Sequence, residues 1–214
     1  MMGKKKQQIE LDESTPEEES AWEENKQPVQ PAEEPHHKEI IDAQFENDKV
    51  VIWKDWEKVY EPGYYGKELG DRLELALVEA CLLVRRNRIR VLRDGTAMNF
   101  QELFDHALSL DRRFMHRYRV YEDLRERGLL VRTGFKFGCD FRVYERGVQL
   151  KKGPKAAREH TKWIVFAVPE DFTQSFQELS RAVRLAHNIR ARMLWGIVDN
   201  EGDCTYYQVL RMRP

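Results

Sequence analysis

Residues 176–198 read FQELSRAVRLAHNIRARMLWGIV. Leu179, Ala182, Val183, Ala186, Ile189 and Met193 recur at helical spacing, which predicts one long amphipathic helix over 176–193. Arg181, Arg184, Arg190 and Arg192 fall off that stripe and make the rest of its surface basic. The period then changes. Residues 194–198 form an apolar run bounded by Asp199 and read as a buried strand. A helix delivering the chain into a buried strand calls for further strands to complete the sheet. Residues 129–132, 135–137, 141–144, 163–168 and 205–210 qualify, being β-branched or aromatic and bounded by Gly, Asp or Pro. The expectation is a mixed sheet on one side of a single long helix.

Upstream the pattern is mainly helical. Residues 73–86 carry Leu73, Leu77, Ala80, Leu83 and Val84 at helical spacing, and a strand-like run over 89–92 follows, closed by the turn Asp94-Gly95. Asn99 with Glu102 three residues on forms a capping box for a helix over 100–110. Asp111 opens another helix bearing Phe114, Tyr118, Tyr121 and Leu124, which ends at Gly128. Residues 49–53 suggest a short strand, and Pro62-Gly63-Tyr64-Tyr65-Gly66 a loop. The fold class expected is α+β, with a helical N-terminal domain and small sheet over 40–128 and an α/β domain over 129–214. Residues 1–39, rich in Glu, Gln, Pro and Ser, read as a disordered acidic tail.

The net charge of -1 conceals an asymmetry. Residues 1–50 hold 14 Asp or Glu and 6 Lys, a balance of -8, while the other 164 residues hold 30 Lys or Arg against 23 acids, a balance of +7. A basic body suits a polyanion, because each neutralised phosphate releases counterions, although such a charge also serves plain solubility. Cys81, Cys139 and Cys204 are odd in number and far apart, so neither a disulfide framework nor a zinc site is expected. No metal or other cofactor is expected. With no apolar run of membrane-spanning length and no signal-peptide core, the sequence reads as soluble and cytoplasmic.

No Gly-rich nucleotide loop, HExxH or GxSxG motif is present. Three segments stand out instead: TGFKFGCDFRVYERG at 133–147, EHTKW at 159–163 and RLAHNIRAR at 184–192. Together with LELALVEACLLV at 73–84, NFQELFDHA at 99–107 and YRVYEDLRERGLLVRTG at 118–134, these closely resemble the archaeal tRNA-intron endonucleases over essentially all of residues 70–214. The resemblance implies a nuclease-like C-terminal domain acting on precursor tRNA at bulge–helix–bulge splice sites. It implies metal-free cleavage to 2′,3′-cyclic phosphate and 5′-hydroxyl ends, by homotetramers or with a partner subunit.

By the same resemblance, Tyr144 matches the family's catalytic tyrosine and His160 its catalytic histidine, while Ala191 occupies the position of its lysine. Such chemistry needs a base at the 2′-hydroxyl, an acid at the leaving oxygen and a cation for the phosphorane. A phenol, at about 10 when unperturbed, needs a cationic setting to act as base, whereas an imidazole at about 6.5 delivers a proton near neutrality. Alanine supplies no charge. On the expected helix, Arg192 would point about 100° away from position 191. Arg184, Arg190 and Arg192, with Lys152 and Lys155 in the run 151–155, are expected RNA contacts, and Asp199, Glu201 and Asp203 resemble an assembly loop. Alone, each has a plainer reading: Tyr144 as a packed strand aromatic, His160 as a strand-end histidine, the arginines and lysines as solvated charges, the acidic loop as a hairpin turn. Intact motifs around Ala191 accord with an engineered Lys→Ala substitution that inactivates the chain. A natural non-catalytic subunit, or an RNA-binding module of a heteromeric enzyme, is the alternative.

Overall fold

A computed structural model describes residues 39–150 and 160–212 of the chain. The expected acidic tail over 1–39 lies outside that range but for its last residue, and Lys152 and Lys155 lie outside it entirely. The first sheet begins with β1 (Ile41–Glu46) and β2 (Lys49–Ile52), joined through Asn47 and Asp48 at φ 47° and 59°. Two consecutive positive φ values make the tight turn whose twist matches a hairpin. Helix α1 (Glu57–Gly63), β3 (Lys67–Glu68), β4 (Leu73–Leu75), α2 (Leu77–Arg85), β5 (Ile89–Arg93) and β6 (Thr96–Met98) follow. The strands run β3-β4-β2-β1-β5-β6, with β1 and β5 parallel.

Residues 73–86 are therefore not one helix. Leu73 and Leu75 are fully buried and pair with β2, since alternation around Glu74 satisfies a strand before the helix begins at Leu77. Glu79 stabilises the switch: its carboxylate accepts Ala76 N–H at 2.8 Å and Gly66 N–H at 2.9 Å. Helix α3 (Phe100–Leu110) starts as its capping box dictates, with Asn99 Oδ1 accepting Glu102 N–H at 2.9 Å.

Helix α4 (Phe114–Glu126) joins the two halves. Its Phe114, Tyr118, Val120, Tyr121 and Leu124 share one continuous core with residues of both sheets. The second sheet contains β7 (Leu130–Thr133), β8 (Phe141–Tyr144), β9 (Trp163–Pro169), β10 (Arg192–Val198) and β11 (Cys204–Val209), ordered β11-β10-β9-β8-β7. Only β9 and β10 are parallel, and α5 (Phe176–Asn188) crosses between them. The sheet is covered on both faces, by α4 on one and α5 on the other, and not by one helix alone. Residues 135–137 form a 3-10 turn where a strand was expected. Glycines bracket it: Gly138 has φ +65°, and a Cβ at Gly134 would lie 2.5 Å from Cys139 Sγ. Among the described residues, no helix is long and apolar enough to cross a membrane.

Candidate active site

The register of the second sheet positions the candidate residues. Val143 of β8 pairs with Trp163 of β9, which pairs with Arg192 of β10. One step toward the strand ends, Tyr144, Lys162 and Ala191 form a row across three strands. Lys162 N–H donates to the Val143 carbonyl at 2.9 Å, and Arg192 N–H donates to the Lys162 carbonyl at 2.8 Å. Two strand spacings place the Tyr144 and Ala191 backbones about 10 Å apart. His160 sits in the lead-in to β9, two residues before Lys162. Tyr144 is buried, at 2% exposure, whereas His160 is exposed.

Helix α5 stops at Asn188, five residues short of the expected end, and Ala191 is not helical. Arg190 adopts φ 56°, Arg190 N–H donates to the His187 carbonyl at 3.0 Å, and Ala191 N–H donates to the Ala186 carbonyl at 2.9 Å. This pair of bonds is a Schellman closure, with Arg190 in the left-handed place where glycine is usual. Ala191 takes the following position and, 8% exposed, packs in the same small core as Ala186 and Met193. Alternation along β10 then turns Arg192 to the opposite face of the sheet from Ala191. The separation of these side chains thus arises from strand geometry, not from a helical turn.

Arg184 and Arg190 are exposed near the α5 terminus. The Lys162 ammonium pairs with the Glu145 carboxylate and lies 4.8 Å from the centre of the Trp163 ring. Nothing in the sequence periodicity singles out Lys162; its place between Tyr144 and Ala191 comes from pairing register alone. Burial pushes the Cys81 thiol up to about 12 and Cys139 and Cys204 up to about 11, so none supplies a thiolate near neutral pH.

Asp199, Glu201 and Asp203 lie at the far end of the sheet, Asp199 being eight residue steps and so roughly 26 Å along the chain from Ala191. Asp199 Oδ1 accepts the N–H groups of Glu201 at 3.0 Å and Asp203 at 2.8 Å, and Arg119 donates to the Gly202 carbonyl at 3.0 Å. These bonds shape the loop and leave the Glu201 and Asp203 side chains exposed. A cleft of about 600 Å³ beside it is lined by His116, Arg119, Glu170, Asp171 and Asn200, among others.

Two α+β units share one core helix, and the second sheet aligns Tyr144, Lys162 and Ala191 in one row with His160 in the lead-in to its central strand. The sequence of the chain matches the tRNA intron endonuclease N-terminal domain over residues 41–104 and the catalytic C-terminal domain of the same family over 114–206. The chain belongs to the tRNA intron endonuclease family. The tRNA-splicing endonuclease of Thermococcus onnurineus is 34% identical over 174 residues, spanning 80% of this chain and 96% of that protein. That of Thermococcus kodakarensis is 40% identical over 152 residues, or 71% of this chain and 84% of the relative. The tRNA-splicing endonuclease of Methanosarcina barkeri is 36% identical over 184 residues, and there the match spans 84% of this chain but 51% of the relative.

Proposed function

We propose that this chain is a tRNA-splicing endonuclease subunit that recognises bulge–helix–bulge sites in precursor tRNA, with cleavage impaired by Ala191. The 2′-hydroxyl attacks phosphorus while its proton passes to the phenolate of Tyr144. The bond to the 5′ oxygen breaks as His160 protonates it, which leaves a 2′,3′-cyclic phosphate and a 5′-hydroxyl without a metal ion. Exposed Arg184 and Arg190 suit phosphate contacts or stacking on a bulged base, and Arg192, Lys152 and Lys155 belong to the same reading.

The observation that carries this reading is the β8–β9–β10 register, which aligns Tyr144 with position 191 while His160 leads into the strand between them. Because a bulge–helix–bulge has two cleavage sites related by approximate two-fold symmetry, two or four copies, or a partner subunit, complete the enzyme. The acidic loop through Asp199, Glu201 and Asp203 is assigned to that assembly.

The test is cleavage of a bulge–helix–bulge RNA in EDTA. Ala191→Lys should raise the single-turnover rate by about 100- to 1000-fold, the usual worth of one transition-state-stabilising group. No cleavage by that revertant in an assembled homotetramer would sink the proposal. A second reading, a natural non-catalytic RNA-binding subunit, draws support from the snug apolar place of Ala191 in the Schellman closure. It requires that Tyr144→Phe, added to Ala191→Lys, leave the rate unchanged.

A further inference from the structure

We propose that Lys162 is a catalytic residue, supplying the cation for the phosphorane in a chain whose position 191 carries none. The proposal rests on the endonuclease reading above and assigns a further role within the same site. Lys162 is bonded through its backbone to both flanking strands, at the step adjoining Tyr144 on one side and Ala191 on the other. One strand spacing, about 4.8 Å, separates it from each. A lysine side chain spans that distance, so its ammonium, once released from Glu145 and the Trp163 ring, is long enough to enter the space that a lysine at 191 would serve.

The present contacts of the ammonium suit an exchangeable cation. It is held by Glu145, whose side chain is 39% exposed, and rests against the Trp163 ring; the lysine side chain itself is 27% exposed. Glu145 directly follows Tyr144, so the ion pair sits at the strand ends beside the proposed base. An incoming phosphate competes with one partly solvated carboxylate for this ammonium. Arg192 faces the other side of the sheet by alternation, the side of its register partner Trp163. The Lys162 ammonium must therefore leave the Trp163 ring and Glu145 and turn about its own flexible stem to meet the phosphate.

In the step proposed, Lys162 transfers no proton. The bond from the 2′ oxygen to phosphorus forms and the bond from phosphorus to the 5′ oxygen breaks. Tyr144 as its phenolate takes the proton from the 2′ oxygen and becomes a phenol, and His160 as its imidazolium gives one to the 5′ oxygen and becomes neutral, while the ammonium neutralises charge on the non-bridging oxygens.

Single-turnover cleavage of a bulge–helix–bulge RNA by the full-length chain tests this, with RNA affinity measured in parallel. The chain as it stands should cleave slowly, and Lys162→Gln should lower its rate by about 100-fold. Affinity should stay within about threefold, because the lost interaction belongs to the transition state. Lys162→Arg should keep most of the rate, and Ala191→Lys should rescue Lys162→Gln from the adjacent strand. An unchanged rate in Lys162→Gln overturns the proposal, as does a rate loss shared by Lys162→Arg and not rescued by Ala191→Lys. Cleavage by Ala191→Lys with none by the chain as it stands also overturns it, yet leaves the endonuclease reading intact. Absence of cleavage in both overturns the two together.

Discussion

Arg190 pays for the geometry of the site in local strain. A non-glycine residue in the left-handed region costs on the order of 1 kcal/mol, so Arg190→Gly should raise the melting temperature by a few degrees in thermal denaturation. Arg125 shows the opposite economy. Its buried guanidinium donates to Tyr121 Oη at 3.1 Å, the Gly63 carbonyl at 2.8 Å and the Val131 carbonyl at 2.7 Å, tying the end of α1 and strand β7 to α4. Arg125→Leu orphans those acceptors, and urea unfolding should show a loss of about 3 kcal/mol or more. Histidine 116 sets a pH response. Burial, then the charge of Arg113, hold its imidazole below the ordinary value of 6.5, against a smaller pull upward from Asp171. The folded chain therefore binds that proton less readily than the unfolded chain. Stability is fully present above 6.5 and declines as pH falls through the window below it. Melting temperatures recorded across that window should fall on acidification, and His116→Gln should flatten the descent. Asp111 adds a later loss: burial pushes its carboxyl up, but hydrogen bonds from Arg117 and Arg113 N–H outweigh this and hold it below 3.8. Its contribution is present above that value and lost below it.

At the scale of elements, helices with local start signals are legible in the sequence, and switches of period are not. Asn99 and Glu102 mark the first turn of α3, and the same reciprocal bonding recurs at α5, where Ser175 Oγ accepts Glu178 N–H at 3.2 Å. Asn99→Ala and Ser175→Ala should each cost about 1 kcal/mol in thermal unfolding, since each leaves helix N–H donors unpartnered. The end of α5 is the instructive departure. Ile189 and Met193 both continue the helical apolar stripe, yet Met193 is buried in β10. A buried residue satisfies either period, and no glycine warns of the left-handed turn at Arg190. Residues 73–75 fail in the same way, because three positions are too few to separate period 2 from period 3.6 once a helix follows directly.

For the whole molecule, β11 is an edge strand of the second sheet, with Tyr207 57% exposed and Leu210 54% exposed beside it. If copies pair along this edge, Tyr207→Asp should lower the native mass measured by sedimentation, and an unchanged mass removes β11 from the interface. The α+β class, the helix α3 with its cap, five of the six strands expected in the second half and the family resemblance all follow from the sequence, because caps, short-range period and long motifs are local properties of a chain. The identity of the residues at positions 144, 160 and 191 follows from it too. Only the tertiary structure decided that α4 belongs to the cores of both sheets, that Ala191 closes a turn instead of lying on a helix, and that Lys162 stands between Tyr144 and Ala191. Those facts depend on strand register, which is set by side chains far apart in sequence meeting across a shared core, and a one-residue slip would turn every one of them to the other face.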